Sequence, residues 1–349
     1  MKIKYLVFYL LFPALILSAS SKYSGKLSNS LESVLSASGY KGVFLFANKD
    51  SVVLKTARGF SNLGYSIPNS INTVFNLASL TKHFTAAAIL ILEERGLLSV
   101  TDTIYKYVPE LHFSRLITIH ELLTHTSGIP NYNNFDDYSQ FSKQVLRIDD
   151  VIALINEHEL EFSPGTDFNY SNSNYAILAS IIERVSGIRY ADFLRINIFE
   201  KLGMCRTGNY SRKQIISDRA ETYEIKEDEI KKAEWFDYSF KLGSASLFSN
   251  IDDLYKWYKG LTGYKIISDS SLHKMFNKYE HGYGYGLGRG AGEVEFYEHD
   301  GISPGVSCYI AYFKEPDYFL IMISNYSDQR FFKIRDIIRN IIISLEMES

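Results

Sequence analysis

Strand-like segments stand at the two ends of this chain, and the stretch between them is mainly helical. The strand-like runs are apolar or β-branched, and the first two flank a turn at residues 48–50, which is typical of a hairpin. Residues 115–265 instead carry the apolar spacing of helices. Because exposed strand edges have to pair, the two ends are expected to meet in one sheet. The strand-like runs are residues 42–47, 51–57, 295–299, 306–313 and 318–324.

This arrangement predicts an α/β fold of the α+β type, in which an antiparallel sheet flanked by helices is formed by both chain ends and an α-rich subdomain is inserted between them. The domain is expected to cover residues 31–345. Its α/β part is formed by about 31–78 and 266–345, and its mainly helical part by about 79–265. The alternating acids and lysines of residues 221–232 predict a solvated face or loop.

The first twenty residues have the pattern of a secretory signal peptide. Lys2 and Lys4 precede an apolar run from Tyr5 to Leu17, and small residues follow at 18–20. We therefore expect residues 1–20 to be a signal peptide, 21–30 to be a leader, and the first helix to start near Leu31. The chain is then exported, to the periplasm or the medium. The apolar run is shorter than the roughly 20 residues that span a bilayer, so no stable membrane span is expected after cleavage, with retention as an anchor as the alternative.

Composition excludes some partners. Lys and Arg total 37 against 40 for Asp and Glu, a formal charge of −3, which leaves no basic surface for nucleic acid. Two cysteines, Cys205 and Cys308, lie far apart without metal-type spacing, and whether they pair is left open. No metal or cofactor is expected.

The pattern Ser-x-x-Lys occurs three times, so context has to choose among the copies. They start at Ser38, Ser79 and Ser271. Only Ser79 stands at the first turn of an apolar helix, predicted from Leu80 to Glu94, where Lys82 shares its face and can reach its hydroxyl. A serine needs such a base to become a nucleophile, although serine is also a common helix cap.

Two further motifs could supply chemistry. Tyr170 and Asn172 precede a helix predicted from 174 to 185, and a lysine nearby is expected to lower the pKa of a buried tyrosine toward that of a general base. Turn residues in an Asn-rich loop are the alternative. His299 and Gly301 close a predicted strand, where a glycine lets a substrate pair along the sheet edge, and a simple strand-end turn is the alternative.

Three competing motifs fail on geometry. A Gly-x-Ser-x-Gly pattern at 301–305 leads into a strand rather than a helix, and no histidine follows it. His120 and His125 are five positions apart, which is wrong for a zinc-binding helix. The alternating glycines of 282–292 fit no nucleotide-binding motif and indicate a glycine-rich strand on which something packs closely.

These motifs occur in one order, and the segments around them resemble the class C β-lactamase and D-alanyl-D-alanine carboxypeptidase family. The resemblance covers roughly residues 35–340. The segments that carry it, besides the motifs, are FNLASLTKHFTAAAILILEERGLLSVTDTIYKYVP from 75 to 109, ITIHELLTHTSGIP from 117 to 130, FSPGTDFNYSNSNYAILASIIERVSG from 162 to 187 and IFEKLGM from 198 to 204.

The resemblance implies a β-lactamase or transpeptidase-like fold and a serine hydrolase. It implies that Ser79 is acylated, Lys82 is its proton partner and Tyr170 is a base or relay that also protonates the leaving group. Asn172 would hold the substrate amide and Lys82, and the backbone N–H groups of Ser79 and Ile302 would form an oxyanion hole. The expected substrate is a β-lactam, a D-amino-acid peptide such as cell-wall peptide, or a small ester.

The chain departs from the usual Lys-Thr-Gly of these β-lactamases, because it has His299, Asp300 and Gly301 there. If a charged His299 grips a substrate carboxylate, kcat/KM should fall as the pH rises through 6 to 8. A non-hydrolysing penicillin-binding or ligand-sensing protein is the alternative function, and the intact set of Ser79, Lys82 and Tyr170 argues against it.

Overall fold

The computed structural model describes residues 12–227, 229–290, 294–315 and 317–347. The first eleven residues of the expected signal peptide lie outside these ranges, so that prediction stays a prediction. The α-helices of the described residues are α1 Phe12–Ala37, α2 Thr81–Glu94, α3 Ile119–Leu123, α4 Tyr138–Phe141, α5 Ile148–Asn156, α6 Asn172–Ser186, α7 Tyr190–Leu194, α8 Glu200–Leu202, α9 Ile251–Thr262, α10 Asp269–Phe276 and α11 Gln329–Met347.

Short 3-10 turns and a π-helical turn at Arg195–Phe199 connect several helices. The strands are β1 Gly42–Asn48, β2 Val52–Arg58, β3 Phe60–Asn62, β4 Ile67–Pro68, β5 Phe75–Asn76, β6 Gly208–Asn209, β7 Tyr223–Lys226, β8 Glu229–Lys232, β9 Leu247–Ser249, β10 Gly288–Arg289, β11 Phe296–Ser303, β12 Val306–Phe313, β13 Tyr318–Ser324 and β14 Tyr326–Ser327.

The main sheet has six strands in the order β10-β11-β12-β13-β1-β2, and every neighbouring pair is antiparallel. The first hairpin of the chain joins the last strands through β1 and β13, where Val43 pairs with Ile323. The predicted fold is therefore confirmed, because an antiparallel sheet is formed by both chain ends and the segment between them carries most of the helices.

The sheet buries both of its faces, since successive side chains of a strand point in opposite directions. On one face Phe44 and Phe46 pack in a core with Leu31 of α1 and Ile338 of α11. On the other face Val43, Leu45 and Ala47 belong to the larger core that contains helices α2 and α6. The second core positions the functional site, because α2 and α6 carry its side chains.

The first helix begins earlier than predicted. The structure has α1 from Phe12, so residues 21–30 are helical and the expected helix start near Leu31 is wrong, while the assignment of 21–30 as a leader stays a prediction. Leu27, Leu31 and Leu35 are all buried, and their spacing of four places them on one helix face. No helix in the described ranges is both long and apolar enough to cross a membrane.

Two further details concern residues 221–232 and the cysteines. Residues 221–232 contain a short hairpin, β7 and β8, and β8 is exposed throughout, in agreement with the solvated face that the alternating charges predict. Cys205 is exposed and Cys308 is buried, and both are free thiols.

Candidate active site

Ser79 lies in a 3-10 turn, Ala78–Leu80, that leads directly into α2. Asn76 stabilises the start of this turn, because its side chain accepts a hydrogen bond from the N–H of Ala78 at 2.8 Å. Ala78 itself adopts a left-handed φ of 43°. The N-cap positions of the turn and of α2 are Leu77 and Leu80. Ser79 is therefore not the cap of this helix, and its hydroxyl is available for other contacts.

Lys82 is the second residue of α2, one turn after Ser79, and is completely buried. Its Nζ is 3.2 Å from Oγ of Ser79, 2.8 Å from Oδ1 of Asn172 and 3.0 Å from the carbonyl oxygen of Ser244. In another Ser-x-x-Lys copy, Lys274 instead pairs with Glu93 at 2.9 Å. The geometry thus brings Ser79, Lys82 and Asn172 together, as the sequence predicts.

Burial lowers the pKa of Lys82 well below its ordinary value, and the positive charge of Lys241 lowers it further. A neutral amine has two N–H donors and one lone pair. The oxygens of Asn172 and Ser244 can only accept hydrogen bonds, so the two N–H groups point to them. The lone pair is then left for the hydroxyl proton of Ser79, which is the geometry that a general base requires.

Tyr170 lies beside this pair, with the centre of its ring 4.8 Å from Nζ of Lys82. Burial raises the pKa of Tyr170, and the nearby Ser79 counteracts the rise only in part. The expectation that a lysine lowers this pKa is wrong, because Lys82 lies over the ring rather than at the phenol oxygen and desolvation dominates. The buried hydroxyl makes no hydrogen bond within the described part of the chain, and the raised pKa keeps it a protonated phenol near pH 7.

Asn172 is the first residue of α6, which begins two residues earlier than the sequence predicts. Its amide nitrogen lies 3.3 Å from Oδ1 of Asn131, and this contact orients its Oδ1 toward Lys82. Asn131 also donates to the carbonyl of Tyr170 at 3.3 Å. Asn131 thus connects the two members of the Tyr-x-Asn motif, although the sequence analysis did not single it out.

His299 is buried in β11, and its two ring nitrogens are both engaged. Nδ1 lies 2.6 Å from the carbonyl oxygen of Asp300, so Nδ1 carries a proton, and Nε2 lies 2.9 Å from the hydroxyl of Tyr283. Burial, His83 and Lys82 hold the pKa of His299 well below its ordinary value. The ring is therefore neutral near pH 7, which argues against the hypothesis that a charged His299 grips a substrate carboxylate.

The sequence predicts that the strand containing His299 ends at this residue. In the structure the strand continues to Ser303. β10 pairs only with Tyr297 and Glu298, so residues 299–303 have no strand partner on that side in the described ranges. This open edge can accept an extended substrate.

Gly301 and Ile302 lie on this open edge. A Cβ on Gly301 would lie 2.9 Å from the carbonyl oxygen of Leu77, so the missing side chain makes room for the Ser79 turn. The sequence predicts that a substrate approaches the backbone closely at Gly301. In the structure the backbone of Leu77 makes this close approach. The side chain of Ile302 is 62% exposed and points away from the turn.

Gly286 makes a second close contact, with the backbone of Lys82. Gly286 has a φ of +81°, and a Cβ there would lie 2.7 Å from the backbone oxygen of Lys82. This confirms that something packs closely on the alternating glycines, namely the backbone of α2. Among the residues of that segment that the structure describes, 282–290, however, only Gly288 and Arg289 are in a strand.

Serine hydrolases differ in the group that removes the serine proton. The fold and the hydrogen-bond contact between Ser79 and a buried lysine place this chain in the class of serine hydrolases that use a Ser–Lys pair. The sequence profile of the Beta-lactamase family matches residues 30–341. The chain therefore belongs to the β-lactamase family, and it is a serine hydrolase.

The chain is similar to penicillin-binding protein 4* of Bacillus subtilis, with 28% identity over 309 residues that cover 82% of this chain and 68% of that protein. Its fold is similar to that of a penicillin-binding protein from Bacillus halodurans, with a TM-score of 0.79, 24% identity, and coverage of 91% of this chain and 99% of the other. It is also similar to D-amino acid amidase from Ochrobactrum anthropi in complex with D-phenylalanine, with a TM-score of 0.82, 22% identity, and coverage of 93% and 100%.

Proposed function

We propose that this protein hydrolyses amides or esters of D-amino acids through an acyl-enzyme on Ser79. The observation that carries the proposal is the contact of Nζ of Lys82 with Oγ of Ser79 at 3.2 Å, in a site where the other two neighbours of Nζ are pure acceptors. Family membership supports it as well, and so do the names of the similar proteins, which include penicillin-binding proteins and a D-amino acid amidase.

In the first step Lys82 takes the proton of Ser79, and Oγ forms a bond to the carbonyl carbon of the substrate. The carbonyl oxygen becomes an anion, which the N–H groups of Ser79 and Ile302 stabilise; such donors contribute about 3 kcal/mol each. The bond to the leaving group then breaks as Tyr170 donates its phenol proton to the leaving nitrogen or oxygen. The proton on Lys82 returns to Tyr170, and water releases the acyl group by the reverse sequence.

The protonation states support this division of roles. A phenol whose pKa is raised by burial is a poor base, but it holds a proton that it can give to a leaving group. Lys82, whose pKa is lowered, is the better base. Asn172 orients Lys82 and, as an amide next to the reacting serine, is placed to contact the substrate amide.

We also propose that the protein is exported and acts on cell-wall peptide or on D-amino-acid derivatives outside the cytoplasm. The support is the sequence pattern of residues 1–20, which is that of a signal peptide, and the resemblance to penicillin-binding proteins. Separation of soluble, secreted and membrane fractions, with N-terminal sequencing of the mature chain, tests this part.

The decisive experiment is active-site labelling. The purified protein is incubated with a fluorophosphonate or a labelled penicillin, and the adduct is mapped by mass spectrometry. We expect the label on Ser79 and none on the Ser79→Ala variant, while Ser271→Ala, a serine from another Ser-x-x-Lys copy, labels like the wild type. Labelling that survives Ser79→Ala would refute the proposal. A labelled enzyme with no steady-state turnover on D-amino-acid amides, esters or β-lactams would instead favour a sensor.

A further inference from the structure

Lys241 is a second buried lysine at this site, and the mechanism above does not use it. Only 6% of its surface is exposed. It ends the 3-10 turn Ser239–Lys241, three residues before Ser244, whose carbonyl oxygen contacts Lys82. A buried cation is costly unless it is paired, so its presence calls for a partner.

The partners that the chain itself supplies are weak. Nζ of Lys241 has one polar contact in the described residues, the hydroxyl of Ser303 at 3.4 Å. Its other neighbours are aromatic, with Nζ 4.0 Å from the ring centre of Phe236 and 5.4 Å from that of Phe240. No carboxylate of the described residues forms an ion pair with it. Burial lowers the pKa of Lys241 to about 8, so the amine is still mostly charged near pH 7.

The contact with Ser303 shows where Lys241 lies relative to the reacting serine. His299, Gly301 and Ser303 alternate along β11, so their side chains share one face. Gly301, in the middle, packs against the turn that carries Ser79. His299 and Ser303 are four residues apart, or roughly 13 Å at the usual rise of a strand. The reacting serine thus lies between a neutral imidazole at one end and a cation at the other.

The two ends differ in what they do for the substrate. Tyr170, the proposed proton donor to the leaving group, lies at the His299 end, with 6.1 Å between the two ring centres. The leaving group therefore departs on that side. The acyl part of the substrate must extend along the edge in the other direction, toward Ser303 and Lys241.

A cavity of about 170 Å³ lies beyond Lys241 on that side. It is lined by Phe236, whose ring contacts Lys241, and by Pro304, which follows Ser303. Arg219 also lines it and lies over the ring of Tyr210 at 4.6 Å. The other charged residues of its lining are Lys232, Glu221 and Glu234. The cavity thus offers aromatic surface to an acyl group, while its two cations are balanced by two carboxylates, so the unpaired positive charge among the described residues on this side is that of Lys241.

From this geometry we infer that Lys241 is a specificity-determining residue that binds a carboxylate in the acyl part of the substrate, on the side of the scissile bond opposite to the leaving group. This inference rests on the proposed function. It accounts for a site in which His299 is neutral, because the cation that binds the substrate is Lys241, at the other end of β11. The preferred substrates are D-amino-acid amides or esters whose acyl part carries a free carboxylate.

The test compares two substrates of nearly the same size that differ in that charge, N-succinyl-D-alanine p-nitroanilide and N-succinamoyl-D-alanine p-nitroanilide, in which a terminal amide replaces the carboxylate. We expect the wild type to prefer the succinyl compound in kcat/KM by about 10- to 100-fold, the usual worth of a hydrogen bond to a charged group. In Lys241→Met this ratio should fall to near 1. The ratio is taken within each variant, so any general effect of the substitution on Lys82 cancels. Lys201→Met, which replaces an exposed lysine, should keep the wild-type ratio.

Met is used because it fills nearly the same volume and removes the cost of a buried cation, so the variant should fold with an unchanged or higher Tm. The dissociation constants of both compounds are also measured in the Ser79→Ala background, with and without Lys241→Met. A succinyl preference that Lys241→Met leaves intact, in turnover or in binding, overturns the role of Lys241. Absence of any hydrolysis by the wild type overturns the proposed function instead, and the binding ratio still decides on Lys241.

Discussion

The side chain of Lys82 has no access to solvent, and its Nζ makes three polar contacts. Replacement by Met removes the base but keeps the volume. We expect kcat/KM for a D-amino-acid ester to fall by about 10²- to 10⁴-fold, the usual contribution of a general base. Spectrophotometric ester hydrolysis measures the effect, with the exposed Lys201→Met as the control. A loss of less than fivefold in a folded variant would assign the base to another group.

His299 leads to a prediction about pH. Its pKa is held well below the ordinary value of 6.5, so the ring does not change charge between pH 6 and 8. For two substrates that differ only in a carboxylate on the leaving group, the ratio of kcat/KM values should stay constant over this range. Parallel pH profiles of the two substrates check this. A ratio that falls with rising pH would show that His299 binds the carboxylate as a cation.

The residues that the motifs bring together were predictable, since each stands in a local pattern that a sequence displays. Ser79, Lys82, Tyr170 and Asn172 do meet in the structure. The contact of Lys82 with Ser244 was not predictable, because a backbone oxygen accepts the hydrogen bond and leaves no side-chain signal. The raised pKa of Tyr170 was missed for a related reason, as it depends on burial by residues distant in sequence.

At the scale of elements, β11 and the Ser79 turn touch where Gly301 has no side chain. In Gly301→Ala the new methyl group would lie 2.9 Å from the oxygen of Leu77, so strand and turn must separate by a few tenths of an ångström. Displacements of this kind impair preorganised sites. We expect kcat to fall at least tenfold, with a smaller effect on Tm.

Gly96→Ala is the matched control for this substitution. Gly96 lies two residues after the end of α2 and has a φ of +69°. No atom lies within 4 Å of the position that its Cβ would take. The variant should lose about 1 kcal/mol of stability and keep its kcat. Equal effects of both substitutions on kcat would mean that the contact of Gly301 has no special importance.

Element boundaries were less predictable than element types. The sequence ends the strand at His299 because Gly301, Ser303, Pro304 and Gly305 resemble one long turn. In the structure only Pro304 and Gly305 turn, since the ladder with β12 continues from Phe296 to Ser303. The hairpin β7–β8 was missed because β8 is exposed throughout and has no apolar alternation to reveal it.

At the scale of the whole molecule, three buried histidines make stability depend on pH. The pKa of His83 is lowered to about 3, and those of His125 and His299 are held well below 6.5, in each case mainly by burial. Below pH 6.5 the unfolded chain binds protons that the folded chain does not, so stability falls on acidification. Each of these histidines contributes at most about 1.4 kcal/mol per pH unit, so we expect a loss of up to about 4 kcal/mol between pH 6 and 5.

Urea unfolding at pH 6 and pH 5 measures this loss. His83→Gln should reduce the difference by about one third, because one of the three groups is removed. His273→Gln, at an exposed position on α10, should leave the difference unchanged. The explanation fails if His83→Gln and the wild type show the same dependence.

The pairing of β1 with β13 also governs the order of events during synthesis. Val43 is made early, yet its strand partner Ile323 lies near the other end of the chain. At about 5–20 residues per second, the ribosome needs roughly 15–55 s to make the intervening segment. During that time the apolar faces of the first hairpin have no sheet to join, and the long loop makes the final pairing slow. The main sheet can therefore close only once β13 has been made, and the first hairpin stays accessible to chaperones until then.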